Sequence, residues 1–221
     1  MYTLHHLNNS RSQRILWLLE ELGLDYKIQC YQRDPQTMLA PESLRRVHPL
    51  GKSPLLEKDG LVLAESGAII QYLCEQHGQD WIPGSGTQAH LDYHYWLHFA
   101  EGSLMPPMLL KLVMDKVRTS PMPFFARPIA RKIADKAMKS FIAANIRNNL
   151  MFVEQRLEGR QWLTGDSPSG ADVQMSFPLE AAVARGLAAD EHPNIQAYVR
   201  RIHARPAYQK ALLAGGEYAY A

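Results

Sequence analysis

The densest chemistry in the chain lies between residues 50 and 67, where Leu50-Gly51-Lys52-Ser53-Pro54-Leu55-Leu56 is followed by Ala64-Glu65-Ser66-Gly67. A short apolar strand that begins at a proline is not an ordinary central strand, because proline donates no ladder hydrogen bond. An X-Pro bond is also where a cis peptide is inexpensive. A cis Ser53-Pro54 bond would turn the Ser53 N–H and C=O outward, toward an extended peptide laid alongside. Glu65-Ser66 then opens an amphipathic helix, whose free N–H groups favour a carboxylate. A peptide-strand receptor beside an anion pocket points to a small acidic peptide as ligand.

A second group of polar residues sits on the first turn, Asn9-Ser10-Arg11-Ser12-Gln13. A serine hydroxyl at a helix start is a donor that favours an anionic group of a ligand placed beside it. Ser10 is the first candidate. Asn9 and Ser12 are alternatives on the same turn, and Arg11 would add positive potential. The plainer reading is a capping box, Ser10-x-x-Gln13. Glu65-Ser66 has its own plain reading as a helix cap with an acidic start.

Other clusters carry less. His90, His94 and His98 recur every four residues on one helix face, but three positions spread over roughly 12 Å cannot share one ion. No metal site is expected, and a wet or interface-facing stripe is. Arg127, Arg131, Lys132, Lys136 and Lys139 read as a solvated basic helix face. Cys30 and Cys74 do not form a Cys-x-x-Cys pair, which speaks against thiol–disulfide chemistry using protein cysteines. Both read as small buried hydrophobes.

The elements that position these residues follow from periodicity. A β-rich run at 2–7 leads into a helix at 12–22, where Ile15, Leu16, Leu18, Leu19 and Leu22 recur and Gly23 closes. A strand at 25–31 and an irregular helical stretch at 35–46 follow. Lys58-Asp59-Gly60 is a hairpin turn between strands at 54–57 and 61–64, and 66–77 is a helix. The order β-α-β-α-β-β-α gives a mixed sheet with helices on its faces. Beyond Pro83-Gly84-Ser85-Gly86, everything looks helical. A long helix from 90 to 117 contains Pro106-Pro107 and should kink there. A second runs from 134 to 157. Ser169 and Asp172 form an Asp-type capping box for a helix through Ala184, and 195–204 is another helix.

The 221 residues, 46% hydrophobic, suffice for one large or two small domains. A net charge of +2 does not point to nucleic acid. No apolar run approaches membrane-spanning length. The N-terminus lacks the regions of a signal peptide, and the cysteine usage suits a reducing compartment, so a cytoplasmic protein is expected.

Taken together, Ser10-Arg11-Ser12-Gln13-Arg14, Lys52-Ser53-Pro54, Glu65-Ser66 and the Ser169–Asp172 box resemble the glutathione transferase superfamily over almost the whole chain. The first turn is closest to the serine-type and mixed bacterial or fungal branches. Tyr2 lies at the wrong end of its strand to serve the thiol. The resemblance implies a thioredoxin-like glutathione-binding domain (1–79), a linker (80–87) and an all-α second-substrate domain (88–221). It also implies Ser10, or Asn9 or Ser12, beside the thiol, whose free pKa of about 8.5 leaves it mostly protonated at neutral pH until a donor stabilises the thiolate. Ser66 is implied on the γ-glutamyl α-carboxylate, Glu65 on the ammonium and Lys52 on the glycine carboxylate. A homodimer and a small apolar electrophile as second substrate complete the expectation. Met105, Met108, Met114, Met122, Phe124 and Phe125 suit such a pocket or ordinary packing. Two other readings stay open: a glutathione-dependent peroxidase or disulfide reductase, and a non-catalytic glutathione or ligand binder.

Overall fold

A computed structural model describes residues 1–37 and 39–221. Four strands form one sheet in the order β2-β1-β3-β4, with β1 Tyr2–Leu7, β2 Tyr26–Tyr31, β3 Leu55–Lys58 and β4 Leu61–Ala64. β1 pairs parallel with β2 and antiparallel with β3, and β4 returns antiparallel from β3. The tight return needs positive φ at two residues, met by Asp59 (50°) and Gly60 (82°). Helix α1, Ser12–Glu21, crosses from β1 to β2 with Ile15 through Leu19 buried on every side. It is enclosed because the sheet lies under it and the helical part of the chain covers its other faces. The short α2, Glu42–Arg45, is the only helix within the stretch expected at 35–46, of which position 38 lies outside the described residues. Helix α3, Ser66–His77, completes the thioredoxin-like half.

The rest of the described chain is helical: α4 Gln88–Phe99, α5 Met105–Thr119, α6 Arg127–Ala137, α7 Ala143–Leu157, α8 Gly170–Ala184, α9 Pro193–His203 and α10 Pro206–Gly215. The expected kink lies slightly before the prolines. A π-turn over Ala100–Leu104 separates α4 from α5, and Pro106 and Pro107 occupy the first turn of α5. Proline lacks the N–H that would bond four residues back, so the Ser103 carbonyl takes its bond from Asn149 Nδ2 at 2.8 Å instead. The helix expected at 134–157 begins earlier, at Arg127, and is interrupted by a second π-turn at Met138–Ile142. Helix α10 was not anticipated from the sequence.

α8 is the spine of the helical half, buried from Gly170 through Ala182. Its capping box closes as expected: Asp172 Oδ2 accepts from the Ser169 N–H and hydroxyl, each at 2.8 Å. The other oxygen, Oδ1, accepts from Leu163 N (2.9 Å) and Tyr198 Oη (2.8 Å), so a fully buried carboxylate is satisfied on both sides. Cys74 is buried, but Cys30 is exposed, which corrects the expectation for that residue. β2 is a sheet edge, and alternate side chains along it reach solvent.

Candidate active site

One cavity of about 500 Å³ brings Arg11, Lys52, Ser53, Pro54, Glu65 and Ser66 together. The residues come from three loops. Ser53 and Pro54 are held by β1: the Ser53 hydroxyl donates to the His5 carbonyl (2.8 Å) and accepts from the Leu7 N–H (3.3 Å). That hydroxyl is committed to the strand, and what Ser53 can offer a ligand is its main chain. The Ser53–Pro54 peptide is cis. Lys52 lies one residue ahead on the cavity wall, near Arg45 and His48.

Glu65 precedes α3 with φ 67° and ψ 119°, a conformation seldom occupied outside glycine and costing about 1–3 kcal/mol. Among the described residues no side chain caps α3, so its first N–H groups have no side-chain partner there. The Ser66 hydroxyl accepts from Arg14 Nη2. Because Arg14 donates and never accepts, the hydroxyl's own hydrogen is left for another acceptor.

Arg14 and Glu101 were not singled out from the sequence as functional. Arg14 is fully enclosed, yet it bonds the Ser66 hydroxyl, the Gln174 carbonyl of α8 and Glu101 Oε1 (2.6 Å). Arg11 Nε reaches the same Glu101 oxygen at 2.8 Å. Both guanidiniums also lie over the Phe177 ring, at 5.3 Å and 5.8 Å. Burial pushes the Glu101 carboxyl up, but Arg14 and Arg11 outweigh it and hold the group below its ordinary value. The only trace of this cluster in the sequence is an arginine inside the apolar run of α1. Glu101 leaves none, since its position depends on the π-turn.

The first turn divides the remaining candidates. Ser12 is entirely buried and Ser10 nearly so. The Ser10 hydroxyl accepts from the Ser12 N–H (3.2 Å), not from Gln13, so the simple capping box does not form. Asn9 holds φ 50° and accepts from Ala219 N (2.8 Å) of the C-terminal segment. Of the four first-turn candidates, Arg11 lines the cavity, and Leu7 reaches it from the strand below. Tyr2 is directed away, with its hydroxyl 2.8 Å from His77 Nε2.

Four cationic and two acidic side chains line the cavity, giving it a formally positive interior. A larger hollow of about 950 Å³ runs along α6 between Phe124, Arg131, Lys132 and Lys136, open to solvent, and shares no residue with the first. His90 and His94 Nε2 atoms lie 3.1 Å apart. Among the described residues, no group of three or more His, Cys, Asp or Glu side chains is arranged to hold a metal ion, and no helix is long and apolar enough to cross a membrane.

Residues 10–76 match the family model described as glutathione S-transferase, N-terminal domain, and residues 118–206 match glutathione S-transferase, C-terminal domain. Glutathione S-transferase 1 of Saccharomyces cerevisiae is 38% identical over 213 residues, covering 92% of this chain and 91% of that protein. Glutathione S-transferase 3 of Schizosaccharomyces pombe is 36% identical over 208 residues, covering 94% and 85%. A solved glutathione S-transferase from Actinobacillus pleuropneumoniae is 35% identical, with a TM-score of 0.81 and coverage of 99% and 94%. With both halves of the molecule matched in order, the chain belongs to the glutathione transferase superfamily.

Proposed function

We propose that this transferase ionises the thiol of glutathione and directs it onto a small apolar electrophile in the same cavity. The observation that carries the reading is the convergence of Lys52, Ser53, Pro54, Glu65 and Ser66 with Arg11 in one cavity of suitable charge. The thiolate form of the tripeptide, with two carboxylates and one ammonium, is doubly anionic. Four cations against two acids leave the cavity doubly cationic. In this reading Ser66 and the uncapped N–H groups of α3 take the γ-glutamyl carboxylate, and Glu65 takes the ammonium. The Ser53 main chain holds the cysteinyl portion, and Lys52 faces the glycine carboxylate. The sulfur would then reach the small exposed part of Ser10, whose turn Leu7 and Arg11 bracket on the cavity wall. Leu39, Leu50 and Leu109 supply apolar surface for the electrophile.

Since glutathione itself is the nucleophile, the protein's task is positioning and charge stabilisation. Ser10→Ala tests the assignment. A hydrogen bond to a charged group is worth about 1.5–3 kcal/mol, so turnover of an aromatic electrophile should fall about 10- to 100-fold while glutathione affinity changes little. Unchanged turnover rejects Ser10.

The division into 1–79, 80–87 and 88–221 belongs to the same reading, supported by α3 ending at His77 and α4 beginning at Gln88. A cytoplasmic location is supported by two free cysteines. A homodimer is supported by the exposed apolar side chains Leu91, Tyr95 and Phe152, where Tyr95 stacks on Phe99 and Phe152 stacks on Trp96.

A further inference from the structure

Ser10 is the outer end of a buried chain. Its hydroxyl lies 2.7 Å from that of Ser12, which lies 2.9 Å from Nδ1 of His6. Ser10 is 5% exposed, Ser12 0% and His6 4%. His6 comes from β1 and Ser12 from the first residue of α1, so the strand-to-helix turn itself builds the chain. The end of α10 closes over the ring at Gly215. That approach requires glycine: a Cβ there would stand 2.6 Å from Gln13 Oε1, 2.9 Å from Leu16 Cδ1 and 3.2 Å from His6 Cε1.

Proton directions follow from what each group can do. In the tautomer with its hydrogen on Nε2, Nδ1 of the neutral ring presents a lone pair to Ser12. Ser12 donates to that lone pair in preference to the Leu7 carbonyl, which is farther at 3.4 Å. Ser10 then donates to Ser12 while accepting the Ser12 N–H. In this arrangement Ser10 therefore presents a lone pair to a ligand.

We infer that His6 and Ser12 are positioning residues which, through Ser10, take up the proton that glutathione loses. The inference rests on the reading of Ser10 as the group beside the thiol. In the step, the S–H bond breaks and that hydrogen goes to Ser10 Oγ. The Ser10 hydrogen passes to Ser12 Oγ, and the Ser12 hydrogen passes to Nδ1 of His6. Sulfur keeps the electron pair, His6 becomes an imidazolium, and Ser10 ends with a hydrogen aimed at the thiolate. Once the thiolate is consumed, the same path returns the proton to water or to the leaving group. Burial lowers the proton affinity of His6, and the Gly215 end of α10 partly restores it. The groups the structure sets beside the ring are the Ser12 hydroxyl, the Gly215 end of α10 and, as register partner on β2, Cys30. Among the described residues no carboxylate is ion-paired or hydrogen-bonded to the ring, so the counter-ion that makes the imidazolium favourable is the thiolate itself.

The test is nitrogen NMR of the histidine-labelled protein, titrated with pH in the presence of glutathione or of S-methylglutathione, which has no thiol to ionise. With glutathione the His6 ring should show roughly tenfold higher proton affinity than with S-methylglutathione. Ser12→Ala, which keeps the backbone N–H, should abolish that difference while both peptides still bind. A His6 ring in the same neutral form with both ligands overturns the inference. Ultraviolet thiolate absorbance separates the levels. A bound thiol whose ionisation ignores Ser10→Ala overturns the reading of Ser10 and the relay with it. A normal Ser10 effect with an indifferent His6 overturns the relay alone.

Discussion

Replacing Glu101 by Gln removes one charge and almost no volume, and it isolates the buried cluster that joins the two halves of the molecule. Arg14 has a 1% exposed side chain and Glu101 a 32% exposed one, 2.6 Å apart. Removing one partner of a buried pair costs about 3–5 kcal/mol, because the remaining charge loses its compensation. Water reaches Glu101 in part, which places the expectation at the lower end, about 3 kcal/mol. For a chain of this length that corresponds to a melting temperature about 6–12 °C lower near neutral pH. The pH dependence supplies a second check. Glu101 titrates below its ordinary 4.5 in the folded protein, since the two arginines outweigh its burial. A carboxyl lowered by folding contributes stability that is complete above the unfolded value and lost as pH falls through the folded one. The Gln variant has no such contribution to lose. Denaturant unfolding of both proteins from neutral pH down to about pH 3 should show a gap that narrows only below 4.5. A variant melting within about 2 °C of the parent, or a gap constant across the range, would refute the argument.

Ser66→Ala removes a donor that Arg14 leaves for another acceptor, so calorimetry should find glutathione bound about 10- to 100-fold more weakly; a change under about threefold would mean the hydroxyl makes no bond to the ligand. Gly215→Ala should destabilise by about 1–3 kcal/mol in denaturant unfolding, since its Cβ meets Gln13, Leu16 and His6 in a packed interior. Equal midpoints would show that the end of α10 yields freely. Tyr95→Glu places a charge on the exposed aromatic face of α4 and should shift light-scattering mass toward the monomer; an unchanged mass would locate any pairing elsewhere.

Where the sequence was legible, a local rule decided the outcome. The Asp59-Gly60 return, the Ser169–Asp172 box and the Glu65-Ser66 opening of α3 each depend on a few neighbouring residues, and each lies where expected. The failures came from tertiary context. Cys30 was read as buried because its run looks apolar, but β2 has no neighbour on its outer side. The π-turns rest on distant partners such as Asn149, which no periodicity records. α10 buries only Tyr208 and Ala211, too few to mark a face. The site was half visible. Glu65, Ser66 and the Ser53 region carry short-range signatures, whereas Arg14 and Glu101 are 87 residues apart and meet only after folding.

The two serines proposed to meet the ligand show how the surroundings decide what an identical group presents. A hydroxyl has one hydrogen and two lone pairs, and its inner partner fixes which of these faces outward. Ser66 receives a hydrogen from Arg14, so its own is free for an acceptor, as a carboxylate requires. In the proposed relay Ser10 gives its hydrogen to Ser12, so a lone pair is left for a protonated thiol. Neither orientation needs the buried groups behind it for stability alone. A buried ion pair is often no more stabilising than apolar packing of the same shape. In the proposed reading, what Arg14 and His6 add is a fixed sense of donation at the two places where the peptide's charges are met.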